Sequence, residues 1–318
     1  MFEPAYLETY SKSELKRRIE EANEILEECR LCPRNCKVNR MNNETGICRT
    51  GRLPVVSSFS PHFGEEAPLV GQHGSGTIFL THCNLLCVFC QNWEISHLGE
   101  GQEVTLEEFA HMMLYLQKLG CHNINFVTPT HVVPQIIEAL AIAIEGGLSV
   151  PLVYNTGGYD SLETIKLLDG IFDIYMPDFK YWDDAVAKRL SKAPHYAEVA
   201  KEAIKEMHRQ VGDLTLDEQG VAQRGLLVRH LVLPEGLAGT REVMRFLARE
   251  ISTNTYVNIM DQYRPCGEAY KYPPLDRHIT VDEYKEALRI AKEEGITRLD
   301  TRDRAYFLRL FRLWSDET

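Results

Sequence analysis

The chain has 318 residues, 44% of them hydrophobic and 25% charged, and 35 Lys and Arg against 46 Asp and Glu give a net charge of −11. That size suits a single barrel of βα units and that balance excludes a disordered chain, while the negative charge argues against nucleic acid as the main partner, since phosphate binding needs clustered positive charge. Apolar runs are too short to span a bilayer and the amino terminus lacks an apolar signal core, so we expect a cytoplasmic protein with no membrane partner.

In chain order, residues 11–28 are predicted as one helix. Ser11 and Glu14 have capping-box spacing, and Leu15, Ile19, Ala22, Ile25 and Leu26 form an apolar stripe. Next come Cys29, Cys32, Cys36 and Cys48, four thiols within twenty residues. In a reducing compartment such grouping reads as metal binding, and four thiolates suit either tetrahedral zinc or a second [4Fe-4S] cluster. Residues 29–70 are rich in Pro, Gly and polar groups, so a bound metal is expected to order them. Within them His62 and Glu65 read as a buried, hydrogen-bonded pair, with substrate contact as the alternative. Composition shifts near residue 70, dividing the chain into an amino-terminal metal-binding segment, 1–70, and a barrel, 71–318.

From residue 76, short β-type runs alternate with helical stretches. The runs are Thr77–Thr81, Ile124–Thr128, Pro151–Tyr154, Ile171–Met176, Leu226–Leu233 and Tyr256–Met260. Helices are predicted at 105–119, 132–145, 161–168, 195–210, 240–250 and 281–294. Six βα units in series predict an α/β fold, a parallel sheet with helices outside. Segments 213–217 and 221–225 read as a hairpin inserted before the fifth strand. A last amphipathic helix is predicted at Arg304–Trp314. Cys121 and Cys266 stand alone and read as small core residues.

The first strand leads into Thr81-His82-Cys83-Asn84-Leu85-Leu86-Cys87-Val88-Phe89-Cys90-Gln91-Asn92-Trp93. Cys83, Cys87 and Cys90, at C-x3-C-x2-C spacing on one loop, can bind three irons of a [4Fe-4S] cube and leave the fourth open to a small molecule. A closed zinc site, with His82 or His97 as fourth ligand, is the rival reading. An iron–sulfur electron carrier or metal-ordered binding protein would be the non-enzymatic alternative.

This motif after the first strand of six βα units resembles the radical S-adenosylmethionine (SAM) enzymes. Gly76-Thr77-Ile78-Phe79-Leu80-Thr81 before the motif, Gln91-Asn92-Trp93 after it, Asn125–His131 and Ile174–Lys180 resemble the branch related to pyruvate formate-lyase activating enzyme. The resemblance implies a partial (β/α)6 TIM-like barrel in which SAM chelates the open iron. It further implies reductive cleavage of SAM to methionine and a 5′-deoxyadenosyl radical that takes hydrogen from a substrate. A low-potential donor of flavodoxin or ferredoxin type is implied, with a small molecule, peptide or protein as substrate. An activase that installs a glycyl radical on a partner protein is the specific alternative.

Carried over position by position, the SAM pocket falls at the strand ends. Thr128 and Thr130 stand where most relatives have a Gly-Gly-Glu stretch for the SAM ammonium. Asn155 stands where the related activase has an Asp that helps bind a monovalent cation; it is neutral, so the cation site is not carried over. Asp178 and Lys180 match an Asp-x-Lys pair, and Arg229 matches a fifth-strand Arg. Tyr263 follows the sixth strand, where activases place a SAM-contacting His.

Overall fold

The computed structural model describes residues 2–300. The helix expected at Arg304–Trp314 lies outside them. The amino terminus forms two helices rather than one, α1 (Ala5–Ser11) and α2 (Glu14–Glu27), broken at Ser13, which is left-handed. The break lets each helix dock separately. Tyr6 and Thr9 of α1 hydrogen-bond to the carbonyls of Val150 and Gly170 at 2.9 and 2.7 Å. Leu15, Ala22 and Leu26 of α2 are buried in the main core. The apolar stripe was legible, but this change of direction was not.

The strands are β1 (Val55–His62), β2 (Ser75–Leu80), β3 (Gln102–Glu103), β4 (Ile124–Val127), β5 (Leu152–Thr156), β6 (Ile174–Pro177), β7 (Thr215–Leu216), β8 (Ala222–Leu231) and β9 (Tyr256–Met260). Parallel pairing runs β2-β4-β5-β6-β8-β9, the six strands expected. β1 pairs antiparallel with β2 and carries β3 on its outer edge, bringing residues 55–62 into the sheet. That strand escapes a sequence reading because it buries only Val56 fully, contains Pro61 and changes register between Val56 and Ser58. The expected hairpin exists, with Thr215 opposite Arg224, but its second arm is the start of β8 rather than a separate insertion.

The remaining helices are α3 (Ala67–Val70), α4 (Leu106–Lys118), α5 (Val133–Glu145), α6 (Leu162–Leu167), α7 (Asp184–Ser191), α8 (Tyr196–Val211), α9 (Thr240–Phe246) and α10 (Val281–Glu293). Both α4 and α10 start on reciprocal capping boxes, Thr105 with Glu108 and Thr280 with Glu283, which satisfy amides the helix leaves unpaired. Sequence reading did not anticipate α7, whose Asp183 cap accepts from the Val186 amide at 2.9 Å. The result is a curved parallel sheet with helices outside, a partial barrel whose strand carboxyl ends open on one side. Among the described residues, no helix is long and apolar enough to cross a membrane.

Candidate active site

The loop after β2 is fixed both by burial of Leu85, Val88 and Phe89 in the core and by backbone contacts. Leu86 and Val88 donate their amides to the carbonyls of Ser191 and Leu190, at 3.2 and 2.8 Å. The carboxyl end of α7 therefore shapes the loop. His82 takes a left-handed conformation at φ 67°, turning the chain into it.

Each loop thiol has a donor. The Leu85 amide donates to Cys83 Sγ at 3.3 Å, the Ser191 hydroxyl to Cys87 Sγ at 3.0 Å, and the Ser96 hydroxyl to Cys90 Sγ at 3.1 Å. Donors of this kind stabilise thiolate ligands and tune a cluster's potential. Burial pushes the Cys83 and Cys87 thiols up from their ordinary range. All three cysteines line one cavity of about 430 Å3. The residues present thus fit a cluster ligated at three corners. His97 instead stacks on Trp93, with centroids 3.8 Å apart, and its Nδ1 meets Ser96 at 2.8 Å.

Across the cavity, a charged network runs along the strand ends. Arg229 donates through Nε to Asp178 at 2.7 Å and through Nη2 to Asn155 at 2.7 Å, and Lys180 pairs with the other Asp178 oxygen. Asp178 and Lys180 lie just beyond the end of β6, and both line the cavity. Burial alone would raise the Asp178 carboxyl, but Arg229 and Lys180 outweigh it and hold it below the usual range. Gly158 lies against this network at φ 78°, where a Cβ would come within 2.1 Å of the Asp178 carbonyl oxygen. Only glycine permits that approach without a shift.

The structure brings Cys83, Cys87, Cys90, Thr128, Asn155, Asp178, Lys180 and Arg229 to the same cavity. It does not bring Thr130 or Tyr263 there. Thr130 donates to the buried carboxylate of Asp160 at 2.7 Å, which also accepts from Tyr154 and Thr156. Tyr263 turns inward and donates to the Leu275 carbonyl at 2.6 Å, leaving its neighbour Gln262 on the cavity wall. Thr156, Gly157, Gln91 and Asn92 also line the cavity, as do His62, Glu65 and Glu66. Glu66 accepts from Asn258 at 2.8 Å. Ser96 and Ser191 were missed in sequence. Neither carries a motif, and Ser191 lies 104 residues from its sulfur partner.

Cys29, Cys32, Cys36 and Cys48 surround a separate small cavity. Among the described residues, no three or more His, Cys, Asp or Glu side chains are already gathered closely enough to hold a single ion, here or at the larger cavity. Cys121 is buried and Cys266 half-buried.

Fold and site together define a partial barrel that presents three hydrogen-bonded thiols and a buried charge network to one cavity. The family model described as the radical SAM superfamily matches residues 77–217. An uncharacterised protein of Methanocaldococcus jannaschii, MJ0674, is 33% identical over 299 residues, covering 91% of this chain and 82% of that protein. A second from the same organism, MJ0808, is 25% identical over 157 residues, 44% of this chain and 46% of that one. Among solved structures, similarity extends to HydG, a maturase of the [FeFe]-hydrogenase, with TM-score 0.48 and 12% identity over 70% of this chain and 50% of that chain. Methylornithine synthase (PylB) gives TM-score 0.45 and 16% identity over 69% of this chain and 62% of that chain. The chain belongs to the radical SAM superfamily, whose members are enzymes that use a [4Fe-4S] cluster and SAM.

Proposed function

We propose that this protein uses Cys83, Cys87 and Cys90 to hold the cluster, and abstracts hydrogen from a substrate not identified by its residues. The observation that carries this reading is the shared cavity: three thiols, each with a hydrogen-bond donor, face the Asp178–Lys180–Arg229 network. When bound, the cluster and SAM supply the one-electron cleavage that yields methionine and a 5′-deoxyadenosyl radical. The protein's own residues bind and orient. Lys180 and Arg229 offer positive charge to the SAM carboxylate, Asp178 keeps both in place, and Asn155 and Thr128 add polar contacts from neighbouring strand ends. Cavity walls from Phe79, Leu85, Leu231 and Met260 limit water near the reacting atoms.

The electron comes from a low-potential protein of flavodoxin or ferredoxin type, in a cytoplasmic setting that keeps the grouped thiols reduced. We also assign a metal, zinc or a second [4Fe-4S] cluster, to Cys29, Cys32, Cys36 and Cys48. The Asp178-Phe179-Lys180 stretch supports a second reading, an activase that installs a glycyl radical on a partner protein.

Anaerobic reconstitution, followed by assay of 5′-deoxyadenosine and methionine with dithionite and SAM, tests the function. Wild type is expected to form both, and the Cys83/Cys87/Cys90 triple-Ala variant neither. Production by that variant would sink the reading. Deuterium transfer into 5′-deoxyadenosine then screens substrates, with glycyl-radical enzymes as the activase arm.

A further inference from the structure

The amino-terminal cysteines carry more than their spacing suggests. Cys29, Cys32 and Cys48 are buried and Cys36 half-buried around a small cavity of about 10 Å3, which Arg40 and His131 also line. Arg40 is 1% exposed. Its guanidinium donates only to the carbonyls of Gly51 and His131, at 2.8 to 3.2 Å, and among the described residues no carboxylate pairs with it. A buried cation without a counter-charge is costly.

His131 adds an independent sign. It is 1% exposed, its Nε2 donates to the Thr81 carbonyl at 2.9 Å, and its Nδ1 is buried with no hydrogen-bond partner. His131 is thus a buried side chain with an unpartnered ring nitrogen among the residues that line the cavity of the four thiols. The backbone is strained as well: Asn35, Lys37, Asn43 and Arg49 all have positive φ. Such conformations persist where surroundings over-determine them.

We propose that these four cysteines hold a closed metal–thiolate centre, that Arg40 is its buried counter-charge, and that the centre fixes the loop carrying Cys83. The inference rests on the metal assignment made above, but not on SAM chemistry. Four thiolates around a divalent ion, or around a cubane of the same net charge, leave about two negative charges, the anion that Arg40 lacks. Metal binding draws the thiols inward and closes the site, so it offers no open position to SAM. The link to the catalytic loop is direct. Arg34, between Cys32 and Cys36, donates to the carbonyls of Asn84 at 2.8 Å and Ser191 at 3.3 Å, and also to that of Lys192. His131 reaches the same loop through Thr81. Arg34, Arg40 and His131 are positioning residues.

The test uses the full chain with Cys83, Cys87 and Cys90 replaced by Ala, loaded anaerobically with zinc in one arm and with iron and sulfide in the other. About one zinc or about four irons per chain is expected, and the arm that loads identifies the metal. Metal content no higher than in a variant that also lacks Cys29, Cys32, Cys36 and Cys48 overturns the centre. Because no SAM turnover is read, failure here is separate from failure of the proposed function. In the same background, Arg40→Met is expected to release metal to a chelator roughly 10- to 100-fold faster, the usual effect of losing an outer partner, while Arg40→Lys stays near the parent. Equal release by Arg40→Met overturns the counter-charge role. Should Arg40→Met fail to fold, Arg40→Gln replaces it under the same criterion. The brace is read in the same triple-Ala chain, which binds no cluster on this loop: stripping the amino-terminal metal should speed amide exchange at Leu86 and Val88 but not in α10. Unchanged exchange at those two amides overturns it.

Discussion

The hydroxyl of Ser191 donates to the sulfur of Cys87 at 3.0 Å, while the Tyr181 phenol meets Ser191 Oγ at 2.7 Å. Tyr181 can therefore donate to Ser191 and leave its hydrogen directed at sulfur. Hydrogen bonds to cluster sulfurs raise the reduction potential by stabilising the more negative state. Ser191→Ala is expected to lower the cluster midpoint by an amount on the order of tens of millivolts, with iron content unchanged. Anaerobic spectroelectrochemistry measures it, and an unmoved midpoint counts against this role.

Lys180 and Asp178 give a second expectation. Lys180→Ala should weaken SAM binding by about 1.5–3 kcal/mol, the usual worth of a hydrogen bond to a charged group. Cluster content should stay at the wild-type level. Asp178→Asn leaves Lys180 and Arg229 buried without their shared anion, so the fold should lose about 3–5 kcal/mol. Equilibrium SAM binding and urea unfolding separate the two effects. A Lys180→Ala variant with wild-type affinity would return the pair to a purely structural role.

His230 makes stability depend on pH. Its ring meets the Phe179 carbonyl at 2.8 Å and the Thr240 hydroxyl at 3.0 Å, and burial lowers its pKa from 6.5 to about 4. The unfolded chain thus binds a proton between these values that the fold resists. Its contribution is complete above pH 6.5 and declines as pH falls toward 4, by about 1.4 kcal/mol per unit and about 3 kcal/mol in all. Asp178 acts in a lower window, because its depressed carboxyl stays ionised until the pH falls below its ordinary range. Replacing His230 by Asn should flatten the decline; urea unfolding across this range gives the slope, and an identical slope refutes the assignment.

Tyr263 separates position from role. Tyr263→Phe removes the hydrogen bond to Leu275, so stability should fall by about 1 kcal/mol. SAM affinity should hold, since the phenol does not line the cavity. A large loss of affinity with intact stability would instead make Tyr263 a SAM contact.

These contrasts show what a linear chain displays. Cys83, Cys87 and Cys90 are legible because their spacing is local, and Asp178 with Lys180 because they follow a strand end two residues apart. Thr130 and Tyr263 also stood at the right strand ends, but which way a side chain turns depends on partners such as Asp160 and Leu275. Arg40, His131 and Ser191 were silent, since a buried counter-charge or a donor from a distant helix exists only after folding. β1 was hidden for the opposite reason: with one buried residue among eight it lacks a strong apolar alternation.

The contact from α7 to the cysteine loop also sets an order of events during synthesis. When Cys90 leaves the ribosome, all three thiols have been made, yet Leu190 and Ser191, which shape the loop, are still to be translated. Domains form progressively as the chain emerges, and this loop must wait for about a hundred further residues before its native partners arrive. Cofactor delivered to the nascent chain would meet flexible cysteines without their donors. Productive loading therefore belongs after the fourth parallel strand and α7 have emerged, which makes cluster insertion a late step in the life of this polypeptide.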